Sequence, residues 1–128
     1  MHVLDCFDFI SIIQKMINDL NYAALEKAKV AQLDFIVTLA RHPVVEAIYL
    51  YGSRARGDFM EKSDIDLAIN CPHASSIDWQ ELLDIVDAAQ TLLHIDILRL
   101  DRSGPEILRK IDQDKVCLYK DRSCQKGI

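Results

Sequence analysis

Glycine and proline are scarce, with four and three residues among 128. Together with the absence of any low-complexity or repeated block, this argues against a disordered chain or a solenoid. No CxxC pair occurs among Cys6, Cys71, Cys117 and Cys124, and no histidines stand at tetrahedral zinc spacing, so a zinc module is a poor reading and reduced thiols fit best. No apolar run approaches the roughly 20 residues that a membrane span requires. Asp5 and Asp8 stand where a signal peptide carries positive charge, so a soluble cytoplasmic protein is expected. Positive charge is also in deficit: fifteen Lys and Arg against twenty Asp and Glu leave a formal net charge of -5. That is the wrong sign for gripping long nucleic acid unaided, although a local patch such as Arg54 and Arg56 suffices for one small anion.

Half of the residues are hydrophobic, enough for one core and one domain. Leu4, Phe7, Ile10, Ile13, Ile17 and Leu20 recur at helical spacing, and Asn18 to Asn21 form a break. Ala24, Leu25, Ala28, Ala31, Leu33, Phe35, Ile36 and Leu39 predict a second helix, stopped before Pro43. Val44 to Tyr51 is β-branched and aromatic and ends at Gly52, and Asp64 to Asn70 alternates acidic or small residues with Ile, Leu and Ile; both read as strands. Ile77, Leu82, Leu83, Val86, Ala89, Leu92 and Leu93 give a helix that Ser76 or Asp78 caps. His94 to Leu100 gives a third strand, Ser103-Gly104-Pro105 opens a short helix to about Ile111, and Val116 to Tyr119 is a last edge strand. The expected organisation is an amino-terminal helical extension over 1–21, a compact domain over 22–120 and a flexible tail over 121–128.

Side chains alternate faces along a strand, so Asp64 and Asp66 project to one side with Cα atoms roughly 7 Å apart. Two carboxylates brought to about 5 Å repel by about 3 kcal/mol at an effective dielectric near 20, a cost that a divalent cation removes. Oxygen ligands without thiolate or imidazole favour magnesium or manganese. Asp96 lies between Ile95 and Ile97; if its strand neighbours the first, it reaches the same side, where it can ligate a second ion and accept a proton. Gly52 ends a strand where backbone must approach phosphate closely, and Ser53 adds a hydroxyl and an amide. If a helix begins just after that turn, its free N–H groups add to the anion site. Taken singly, a Gly-Ser pair is usually an ordinary turn and alternating acids a solvated face. Their conjunction makes the site reading stronger than either part.

These residues resemble the polymerase-beta-like nucleotidyltransferases, in particular their minimal MNT branch. That family shows Gly-Ser, ten residues and then Asp-x-Asp; here Gly52-Ser53 is followed by Arg54 to Ser63 and then Asp64-Ile65-Asp66. The resemblance covers roughly Val44 to Tyr119, with the third family carboxylate falling on Asp96. Asp114-Lys115 replaces the Glu-Gly that often precedes the family's last strand.

The resemblance implies an α/β fold of the α+β type, a small mixed sheet flanked by helices. It implies catalytic, metal-holding roles for Asp64, Asp66 and Asp96 with two magnesium or manganese ions, and nucleotide contacts from Gly52, Ser53, Arg54 and Arg56. It also implies ATP as substrate, with AMP passing to a hydroxyl, most readily a tyrosine of a partner HEPN ribonuclease toxin that this chain restrains as antitoxin. Two alternatives stay open: the catalytic subunit of an aminoglycoside-type small-molecule nucleotidyltransferase with a separate substrate-binding partner, and a module that neutralises its partner without catalysis. A homo- or hetero-oligomer is compatible with either.

Overall fold

A computed structural model of the chain describes residues 19–31 and 34–121. The amphipathic stripe from Leu4 to Ile17 and the tail beyond Asp121 lie outside the described residues. Helices α1 (Tyr22–Lys27) and α2 (Asp34–Arg41) lead into β1 (Ala47–Tyr51), the one-turn α3 (Ser53–Arg56) and β2 (Ile65–Asn70). Helix α4 (Ser76–Asp87), β3 (Ile95–Arg99), a 3-10 turn (Leu100–Arg102), α5 (Pro105–Asp114) and β4 (Val116–Lys120) complete the order.

The four strands form one mixed sheet in the order β3-β2-β1-β4. β1 runs antiparallel to both β2 and β4, while β2 and β3 are parallel and joined across α4, as a parallel pair requires a crossover. One face is closed by helices. Ile48, Leu50, Leu67 and Ile69 of the sheet pack with Phe35, Ile36 and Leu39 of α2 and Leu82 of α4 in a single apolar cluster. Each such side chain contributes about 1.5–3 kcal/mol through burial. Helix α5 reaches the other face, where Ile111 is buried and Lys115 stands over the Tyr49 ring at 5.1 Å.

The long helix expected from Ala24 to Leu39 is two helices. Asn21 caps the first, its side chain accepting from the Ala24 amide at 3.2 Å, which agrees with the predicted break. The helix then ends in a Schellman turn: Lys29 takes φ 55, its amide donates to the Glu26 carbonyl, and the Val30 amide donates to the Leu25 carbonyl at 2.9 Å. Apolar spacing runs through this stop unaltered, and Lys29 stands where glycine or asparagine usually announces one. The cap of α4 also shifts by a residue. Ser75 is the N-cap and Asp78 its capping-box partner, in place of Ser76, and the helix closes at Asp87 before Leu92 and Leu93. Among the described residues no helix is long and apolar enough to cross a membrane.

Candidate active site

Alternation along β2 buries Ile65, Leu67 and Ile69 and turns Asp66 to the opposite face, with Asp64 exposed just before the strand. Parallel pairing with β3 sets Asp66 directly opposite Asp96, and antiparallel pairing with β1 sets it directly opposite Tyr51. Tyr51, Asp66 and Asp96 therefore form one row across three strands on one face, each about 5 Å from the next along the sheet. The condition that the two acidic strands be neighbours is met, and the register aligns them.

The electrostatics report the crowding. Burial, then the charge of Asp96, then that of Asp64 raise the Asp66 carboxyl above its ordinary value, while His94 and Arg56 pull it down. The Tyr51 phenol is pushed up to about 12 by burial and by the charges of Asp66 and Asp96. Among the described residues no cation bonds to Asp64, Asp66 or Asp96, so the three acids form a place where positive charge is welcome.

Gly52 has φ 75, a left-handed conformation that suits glycine, and caps the one-turn α3. A Cβ placed there would lie 2.6 Å from Asp66 Oδ2, so the absent side chain is what allows the turn to press against the carboxylate. The Gly52 carbonyl accepts from the amides of Ala55 and Arg56, leaving the amides at Ser53 and Arg54 outside the helix's own bonds. Because α3 is a single turn, its macrodipole is small, and the anion site expected here depends on these amides more than on a helix field. Gly57 follows at φ 93 and ends α3 in a left-handed cap, its amide donating to the Ser53 carbonyl.

The two arginines of the motif part company. Arg54, expected at the triphosphate, is turned inward: 4% exposed, it donates to the carbonyls of Ser63 at 3.0 Å, Ala28 at 2.9 Å and Glu61 at 3.1 Å, and stacks on Phe59. Its three bonds tie α3 to the loop before β2 and to the end of α1. Arg56 stays at the surface, bonded to Asp114 at 2.9 Å and Asp58 at 3.2 Å, near enough to Asp66 to favour its ionised form. In the sequence Tyr51 and His94 figure only as residues of predicted strands. Parity was the available signal, since His94 and Asp96 are two apart and Tyr51 immediately precedes the glycine.

A second group of potential ligands, His42, Asp78 and Glu81, brings its donor atoms within 4.8 Å of one another. It sits at the far end of the sheet, where Ala47 pairs with Asn70. His42 Nδ1 accepts from the Val44 amide, which leaves the proton on Nε2, and Nε2 donates to Glu81 at 2.7 Å. A cation on Nε2 would need the opposite tautomer, so this group is a hydrogen-bonded tie between α2 and α4.

Residues 34–123, more than half of the 128, match the family model described as polymerase beta, nucleotidyltransferase. No sequence among curated proteins matches the chain. Among solved structures it is similar to a toxin-antitoxin with AMP-PNP, at TM-score 0.53 and 23% identity, covering 73% of this chain and 77% of that one. It is also similar to a tri-AMPylated Shewanella oneidensis HEPN toxin in complex with MNT antitoxin, at TM-score 0.52 and 20% identity over 74% and 75% of the two chains. The toxin-antitoxin MntA-HepT aligns at TM-score 0.51 and 19% identity over the same shares. At these identities the structures speak to a common fold, and the family match carries the assignment: the chain belongs to the polymerase beta nucleotidyltransferase family.

Proposed function

We propose that the chain transfers AMP from ATP to a hydroxyl, and that the acceptor is a tyrosine of a HEPN-type toxin, which it thereby silences as an antitoxin in the cytoplasm. The observation that carries the reading is the in-register Asp66–Asp96 pair with Gly52 pressed against Asp66. Asp64, Asp66 and Asp96 fit a divalent cation: they are oxygen donors only, and burial together with the charges of Asp96 and Asp64 already holds the Asp66 carboxyl above its usual range. These three would hold magnesium or manganese, two ions by the family pattern, which when bound neutralise phosphate charge and lower the pKa of an acceptor hydroxyl.

The chain's own groups supply the remainder. Ser53 and the free amides of the turn receive phosphate oxygens, and Gly52 keeps that approach open. Arg56 adds positive charge at the rim, while Arg54 maintains the turn from behind through its three carbonyl contacts. Asp96 accepts the proton of the attacking hydroxyl. The oxygen–Pα bond forms as the bond from Pα to the β-phosphate bridging oxygen breaks, and pyrophosphate leaves. Likeness to a complex whose toxin is described as tri-AMPylated supports a protein hydroxyl as acceptor and a helical partner chain as its bearer.

The decisive measurement is incubation of the full chain with labelled ATP, magnesium and a HEPN protein encoded beside it. Label on a tyrosine of that protein, lost when Asp64 and Asp66 are both changed to Asn, is expected. Label confined to a small hydroxylated molecule would transfer the reading to the aminoglycoside-type alternative. Unaltered neutralisation by the double variant would leave only a binding module.

A further inference from the structure

Arg56 ends a one-turn helix and is followed by a left-handed glycine, so nothing in its own element restrains a long, flexible side chain. Two acids restrain it instead. Nε donates to Asp58 Oδ2 at 3.2 Å, and Nη1 donates to Asp114 Oδ2 at 2.9 Å, a contact 58 residues away in sequence. The guanidinium is a planar fork, and these bonds use Nε and Nη1. Nη2 makes no bond among the described residues, so its two N–H donors remain uncommitted.

Asp114 is well anchored for this task. It closes α5, whose Ile111 is buried against the rest of the fold, and its own side chain is mostly covered. The adjacent Lys115 does not compete for it, because Lys115 Nζ is taken by Asp112 at 2.7 Å and lies over the Tyr49 ring. This is also the place where the chain departs from the Glu-Gly often found before the family's last strand.

We propose that Asp114 is a positioning residue that holds Arg56 so that its uncommitted Nη2 donors are available to the phosphates of the bound nucleotide, and that α5 thereby sets nucleotide affinity. The inference rests on the nucleotidyltransferase reading of the site. Without Asp114, Arg56 would be held by Asp58 alone, and the remaining cost of ordering its side chain would fall on nucleotide binding.

The test is calorimetric titration of the full chain with ATP and magnesium, comparing wild type with Asp114→Ala, Asp114→Glu, Arg56→Gln and the double variant Arg56→Gln/Asp114→Ala. Asp114→Ala is expected to raise the Kd about fivefold, as for neighbours in one charged hydrogen-bond network, with the rate at saturating ATP changed less than about twofold. Asp114→Glu should recover most of the affinity, and the double variant should bind no more weakly than Arg56→Gln alone. Should Asp114→Ala fail to fold, Asp114→Asn is read in the same cycle. An additive double variant would assign Asp114 a structural role independent of Arg56, and binding that is unchanged or tighter in Asp114→Ala would show that the acid masks the arginine. Either result overturns the proposal while leaving the enzyme reading intact, whereas a wild-type chain that binds no ATP removes both.

Discussion

The two faces of β2 are built on opposite principles. Ile65, Leu67 and Ile69 are closed against helices and are at most 2% exposed, whereas Asp66 on the other face keeps company with two further acids. One face gains stability from burial, and the other gives some up by concentrating like charge where solvent is partly excluded. The same division recurs two residues apart in the turn after β1. Arg54 is buried among carbonyls and holds structure together, while Arg56 is exposed among carboxylates at the site. A strand and a turn can thus serve stability and chemistry at once, provided adjacent residues face different ways.

The sharpest way to break this contrast is Asp66→Asn. Transfer should fall by about a thousandfold, equivalent to about 4 kcal/mol, in a labelled-ATP assay, while the thermal midpoint without divalent cation holds or rises. A fall in midpoint would place Asp66 among the residues that stabilise the fold. Next in size is Leu67→Ala, one residue along and fully buried, which should cost about 3 kcal/mol in urea unfolding while leaving the folded fraction active. The arginines sharpen the comparison further. Arg54→Met should lower stability by about 2 kcal/mol because it strips three carbonyls of their donor, whereas Arg56→Gln should leave the unfolding curve within about 0.5 kcal/mol of wild type.

The smallest effect concerns pH. The folded state holds the Asp66 carboxyl above its unfolded value, so this group favours folding below the unfolded carboxylate range, and that contribution is lost as pH rises through the raised folded value. In chelator, the melting temperature of wild type should therefore decline more over that rise than that of Asp66→Asn. Parallel profiles for the two proteins would mean that neither burial nor the neighbouring charges perturb Asp66.

Much of this was legible from local pattern. The spacing from Gly52 to Asp66 and the alternation through Asn70 placed the turn, the strand and its acidic face, because period-two geometry and a strand-ending glycine are properties of short segments. The four strands and the short helix after Pro105 followed in the same way. The break at Lys29 did not, since a left-handed lysine carries no compositional flag, and neither did the separate fates of Arg54 and Arg56, which occupy equivalent-looking positions in one polar run.

The chain's sequence, taken alone, determined which residue types stand at which spacing: a glycine turn, paired acids on one strand face and a third acid in another strand. Only the tertiary structure decided that Asp96 stands level with Asp66, that Tyr51 completes their row, and that Arg54 goes inward while Asp114 meets Arg56. Strand register and the partners of a long side chain depend on groups tens of residues away, and those distances are settled by packing the whole core at once.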